Sequence, residues 1–173
     1  MFPNTVDKGT LQGCASAIML SGSFHLETDA SLNPGQRKVV EGVSLKRAGG
    51  GILLRSPALT PVGMYSVSLG FLSSPTLAEA LVLLRGMRLA RQRHQATALR
   101  ARTDAVHLVE ILSGRANTRD PALLAVVEQI ATERDQLSVF EIRWSRSSHA
   151  PERQPGVPTA DALARKAAGL GVR

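Results

Sequence analysis

Thiol chemistry is almost absent: the chain holds one cysteine, Cys14. That permits no intramolecular disulfide and no thiolate metal cluster, which excludes a zinc ribbon, a redox pair and a disulfide-stapled secreted fold. Long hydrophobic runs are missing too, since a charge, Gly or Pro interrupts every stretch before the ~18 residues of a membrane span. The apolar patch from Cys14 to Leu20 follows Asp7 and has no cationic start, so it does not read as a signal peptide. The cytoplasm is therefore the expected compartment, with no membrane partner. Lysine is scarce as well: it supplies four of the 21 cations and arginine the other 17. Against 14 acids this gives +7 at pH 7. The planar guanidinium fork suits phosphate oxygens, so a polyanionic partner is one reading of the charge, and a merely solvated arginine surface is the other. What is present is 173 residues, 43% hydrophobic and 20% charged, enough for a single core. Residues 1–22 read as a poorly ordered leader and 23–173 as one folded domain.

Phe24, Leu26 and Thr28 alternate with His25, Glu27 and Asp29, the period of two of a half-buried strand ending at Asp29. Residues 32–48 hold Asn33-Pro34-Gly35 and the cations Arg37, Lys38, Lys46 and Arg47, and read as a long basic connection or a hairpin arm. Residues 49–54 and 64–69 read as two more strands of an antiparallel meander. From Thr76 to about His94 the pattern is helical, with Leu77, Leu81, Leu84 and Arg88 on one stripe and Glu79, Leu83, Gly86 and Ala90 on another. Leu99, Ala101 and Thr103 make a fourth strand stopped at Asp104, and Val106, Val109 and Leu112 mark a short helix closed by Gly114. Asp120-Pro121 is an N-cap and first-turn pair for a helix reaching about Arg134. Phe140, Ile142 and Trp144 alternate as a fifth strand, and Thr159 caps a last helix. The order βββαβααβα implies an α/β domain built on one five-stranded mixed sheet flanked by helices.

Four carboxylates are informative by placement. Asp29 ends the first expected strand, Asp104 ends the fourth, Glu79 opens the long helix and Asp161 opens the last. Each has a structural alternative, because acids favour the first turn of a helix and often cap one after a strand. Glu79 is the odd one: a carboxylate on an apolar stripe needs a partner or a metal to offset its desolvation.

The segments carrying these acids are FHLETDAS, TLAEALVLL, RTDAVHLVEIL and TADALARKA, in that order. Together they resemble the type 1 ribonuclease H family over residues 23–168. The resemblance implies a ribonuclease H-like fold and an endonuclease that hydrolyses the RNA strand of RNA/DNA hybrids, leaving 3′-hydroxyl and 5′-phosphate ends. It makes Asp29, Glu79, Asp104 and Asp161 the ligands of two Mg²⁺ ions, with Mn²⁺ able to substitute. Asp29 would bridge both ions and Asp104 share them. Two hard cations roughly 3.5 to 4 Å apart suit in-line attack of water on a phosphodiester, and both want oxygen ligands. His149, in WSRSSHAPERQ, takes the place of a loop histidine that assists product release or proton transfer in the family.

Substrate contacts are implied at Ala30, Ser31, Ser74 and Thr76. Here the chain departs from the family's pattern: Ala30 replaces a frequent Gly, Ser73-Ser74-Pro75-Thr76 replaces a Thr-Asn-Asn-like run, and no Asn precedes the last acid motif. Hydroxyls remain, but the amide side chains are missing. Arg85, Arg88, Arg91, Arg93, Arg100 and Arg102 give a local +6 that is either a phosphate-tracking surface or a set of solvated faces. Residues 113–120 are too few for the basic protruding helix some members use as a handle. The expected partner is an RNA/DNA hybrid and the expected state a monomer. The alternative reading is a non-cleaving nucleic-acid-binding or assembly module on the same fold.

Overall fold

The computed structural model describes residues 22–146 and 154–171. The leader expected over 1–22, all but its last residue, and His149 lie outside the described residues. The elements are β1 (Phe24–Val40), β2 (Val43–Arg55), β3 (Pro61–Leu72), α1 (Pro75–His94), β4 (Ala98–Thr103), α2 (Val106–Leu112), α3 (Pro121–Arg134), β5 (Val139–Trp144) and α4 (Ala160–Ala167). They form one five-stranded sheet in the order β3-β2-β1-β4-β5. β1, β2 and β3 pair antiparallel, while β1, β4 and β5 run parallel, as the meander and the later strand–helix alternation imply.

One boundary differs. β1 does not stop at Asp29 but runs on to Val40, and residues 32–48 are the two long strands of a hairpin rather than a loop. Pro34-Gly35, which looks like a turn, is absorbed as an irregularity where the β1–β2 register shifts between Asn33 and Arg37. The real turn is Glu41-Gly42, both with positive φ (50° and 78°), the backbone twist that a two-residue hairpin favours.

Ser74 caps α1, its hydroxyl accepting the Leu77 N–H at 3.2 Å, and Pro75 occupies the first turn, where its missing N–H costs nothing. The helix lays Val82, Leu83, Met87 and Ala90 on Leu26, Ile52 and Leu54, which are fully buried or nearly so. Successive β2 residues face opposite ways. Gly50 meets Val82 of α1, whereas Gly49 and Gly51 meet the backbone of α4, so α1 and α4 sandwich the sheet. A Cβ on Gly51 would lie 1.9 Å from the Ala160 carbonyl oxygen, so only glycine lets α4 approach this closely. No helix among the described residues is long and apolar enough to cross a membrane.

Candidate active site

Pairing of β1 with β4 ends at Glu27 opposite Arg102, and β4 itself ends at Thr103. Asp29 and Asp104 therefore stand just beyond the end of the parallel stretch, where open α/β sheets leave a crevice. Asp29 sits opposite Gly51, within β1 rather than at its end. The third acid arrives from α1. Glu79 is the fifth residue of that helix, so it lies past the first turn, which holds no acid. Helix-dipole placement does not explain it. Its apolar stripe does hold, since Leu83, Gly86 and Ala90 are buried with it, and a Cβ on Gly86 would come 2.8 Å from Leu26.

Two donors fix the Glu79 carboxylate. The Ala30 N–H donates to Oε1 at 2.8 Å, and the Thr103 hydroxyl reaches Oε2 at 3.4 Å. Both donors flank the place where β4 stops. One oxygen each from Asp29, Glu79 and Asp104 then lies within 4.8 Å of the others. Asp29 and Glu79 are only 8% and 7% exposed, while Asp104 is open to solvent.

Crowding three acids in this way has an electrostatic cost. Burial, then the charges of Asp104 and Asp161, push the Asp29 carboxyl up to about 7. Burial and the charge of Asp29 push Glu79 up to about 9, against the opposing pull of the Ala30 N–H. A divalent cation would reverse both shifts, and an all-oxygen donor set of this kind fits a hard ion such as Mg²⁺ or Mn²⁺. The three carboxylates could hold a metal ion.

Asp161 is not within this trio. It is exposed in the first turn of α4, beneath the Thr159 cap, and lines the same cleft as Asp29 and Asp104. Its charge acts on Asp29. Ala30 serves through its backbone, and Ser31 lies half-buried on β1 opposite Gly49. Ser74 spends a lone pair on the α1 cap, and Thr76 is half-buried in the first turn.

The cleft also contains groups that sequence reading passed over. Glu27 forms an ion pair with Arg55, which is 2% exposed, and both line the cleft with Thr103 and Arg102. A signal existed for Glu27: two residues before Asp29, it must share that face of the strand. The six-arginine segment is not one surface. Arg88 and Arg91 each bind Glu133 at 3.0 Å, Arg100 binds Glu141 at 3.1 Å, and Arg85 donates to the Ser68 carbonyl at 3.3 Å. Burial alone would raise the pKa of Glu133, but hydrogen bonds from Arg88 and Arg91 lower it overall. Arg88 and Arg91 tie α1 to α3, Arg85 ties α1 to β3, and Arg100 ties β4 to β5.

Strand order and helix placement define a ribonuclease H-like domain. The family described as reverse transcriptase-like, a ribonuclease H-like family, matches residues 39–167, and the chain belongs to it. That match begins after Asp29, whose place in the site rests on geometry. Among solved structures, the chain is similar to ribonuclease H1 of the halophilic archaeon Halobacterium salinarum, with 20% identity and a TM-score of 0.69 over 84% of this chain and 97% of that one. The N-terminal ribonuclease H domain of a Mycobacterium tuberculosis protein gives 22% and 0.68 over 85% and 94%. LC11 ribonuclease H1, from compost and solved in complex with an RNA/DNA hybrid, gives 16% and 0.66 over 85% and 97%. No curated protein matches the chain.

Proposed function

We propose that the chain is a divalent-metal-dependent endonuclease that cuts the RNA strand of RNA/DNA hybrids, leaving 3′-hydroxyl and 5′-phosphate ends. The observation that carries this reading is the convergence of Asp29, Glu79 and Asp104 within 4.8 Å just past the parallel stretch of β1 and β4. Buried acids raised toward and above neutrality are poised to exchange protons for a cation. In this reading Asp29, Glu79, Asp104 and Asp161 hold two Mg²⁺ ions, with Mn²⁺ as substitute. Bound there, the ions supply activation of the attacking water and stabilisation of charge on the leaving 3′ oxygen.

The chain's own residues do the rest. Ala30 and Thr103 hold the Glu79 carboxylate by hydrogen bonds, so that it is oriented before any cation arrives. Asp104 and Asp161, the exposed members, line the cleft and are open to an entering phosphodiester. Ser31, Ser74 and Thr76 offer hydroxyls near the sugars, and contact with 2′-hydroxyls is what separates RNA from DNA. His149 assists proton transfer or product release. A labelled RNA/DNA hybrid, with single-stranded RNA and double-stranded DNA controls, tests the reading in Mg²⁺, Mn²⁺ and chelator. Metal-dependent cleavage of the RNA strand alone is expected. Hybrid binding without cleavage in either metal would favour a non-cleaving module instead.

A further inference from the structure

Past Asn33, β1 and β2 continue as a hairpin arm that β3 accompanies as far as Lys46, beyond which the ribbon is two-stranded. Because β1 runs parallel to β4 and extends beyond it, the arm leaves the sheet at the edge that carries Asp29 and Asp104. It bears Arg37, Lys38, Lys46 and Arg47 against one acid, Glu41.

Several cations of the domain body sit in ion pairs. Glu27 takes Arg55, Glu133 takes Arg88 and Arg91, and Glu141 takes Arg100. Among the described residues none of the four arm cations has a carboxylate partner: Arg37 donates to the Pro34 carbonyl, Arg47 to the Gln36 amide, and Lys38 lies 5.1 Å above the Phe71 ring. Arg37 and Lys46 stand directly opposite one another across the ribbon. Like charges in that register destabilise a hairpin, and an anion between them would relieve the repulsion.

Alternation along β2 puts Lys46 on the α1 side with Ala48 and Ile52, and Arg47 on the α4 side with Gly49 and Gly51. The arm thus offers cations on both faces. Its base is fixed, because the Asn33 amide donates to the Ala168 carbonyl at 3.0 Å while its own oxygen accepts the Gly35 N–H at 2.9 Å. Asn33 so ties the ribbon to the end of α4, the helix that bears Asp161.

We infer that this arm is a second phosphate grip for a nucleic-acid duplex, built from strands and lengthening the contact made at the carboxylate cluster. The inference rests on the hybrid-cleaving reading for what lies at the cluster, though not for the charge of the arm. From the Asn33–Arg47 pair to the Val40–Val43 pair β2 advances four residues, about 13 Å at ~3.3 Å per residue, the length of roughly four base pairs. The exposed valines at the tip, Val39, Val40 and Val43, make an anionic membrane surface the rival occupant.

The test is the salt dependence of affinity for a labelled 20-base-pair hybrid, read by fluorescence anisotropy in chelator so that nothing is cut. R37Q/K46Q removes the facing pair. R93Q/R134Q removes equal charge from the far ends of α1 and α3. Each lost phosphate contact should flatten the log-log slope by about 0.9, so the arm variant should lose about 1.8 and the control nothing. R37Q and K46Q singly, each expected to lose about 0.9, keep the test open if the double variant melts below the wild type. Equal slopes for the arm and control variants would overturn the inference. So would an arm variant that keeps the wild-type hybrid slope but loses binding to phosphatidylserine vesicles. Cleavage in Mg²⁺ is scored separately: its failure with the arm slope intact sinks the catalytic reading and spares the arm.

Discussion

Glu79 should make the metal-free fold lose stability as pH rises, and Glu79→Gln should abolish much of that loss. Its carboxyl stands at about 9 in the fold against an ordinary value of 4.5. The sign follows from proton binding: between those values the folded state keeps a proton that the unfolded chain releases, so stability falls with increasing pH. The contribution is fully present below about 4.5 and is gone above about 9. One unit corresponds to about 1.4 kcal/mol, so raising the pH from 4.5 to 7 should cost on the order of 3 kcal/mol through Glu79 alone. For a domain of this size that is a fall in Tm of roughly 6 to 12 °C.

Gln keeps an oxygen for the Ala30 N–H and carries no charge at any pH. Urea unfolding in chelator at pH 5, 6, 7 and 8 would compare the two proteins. They should differ by less than about 1 kcal/mol at pH 5, while the variant should be more stable by about 4 to 5 kcal/mol at pH 8. Parallel stability curves for wild type and variant would refute the reasoning, because they would mean that Glu79 is not held against ionisation by its surroundings.

Millimolar Mg²⁺ should raise the wild-type Tm more at pH 8 than at pH 5, and not in a D29N/E79Q double variant; an equal rise in both proteins, seen by calorimetry, would move the ion elsewhere. Asp29→Asn and Asp104→Asn should each lower hybrid cleavage by 10³-fold or more, roughly the scale of losing a metal contact, in a single-turnover assay. Gly51→Ala should destabilise the fold by about 1 to 3 kcal/mol in urea unfolding, since the new methyl group would displace the α4 backbone at Ala160. His149→Ala should slow kcat by roughly 10²-fold or less with metal affinity unchanged, and an unaltered kcat and pH profile would return that residue to a solvated loop.

The succession of strands and helices along the chain was legible because hydrophobic periods were strong where strands are half-buried. Phe24, Leu26 and Thr28 show a clean alternation, and their even-numbered partners in β2 complete the same face. The hairpin extension was not legible as strand for a physical reason. Residues 37–44 bury almost nothing, so no apolar face imposes a period, and the Pro34-Gly35 signal marks an irregularity and not a turn. Glu41 in left-handed geometry has no sequence signature that separates it from an ordinary exposed acid.

At the site, what sequence order conveyed was the set of acids, and what it could not convey was their inequality. Asp29 and Glu79 are buried and bear the electrostatic strain, Asp104 is exposed beside them, and Asp161 stands outside the 4.8 Å trio. That ranking depends on where β4 stops. β1–β4 pairing stops at Glu27, three residues before Ala30, so the Ala30 N–H has no β4 partner and Glu79 accepts it. The arginines follow the same logic in reverse. Arg88, Arg91 and Arg100, between Glu79 and Asp104, pair with acids of α3 and β5 and so hold elements together, whereas those of the arm find none among the described residues. Charge that is internally neutralised cannot attract a polyanion strongly, so counting cations along the chain overstates the surface at α1 and understates it at the arm.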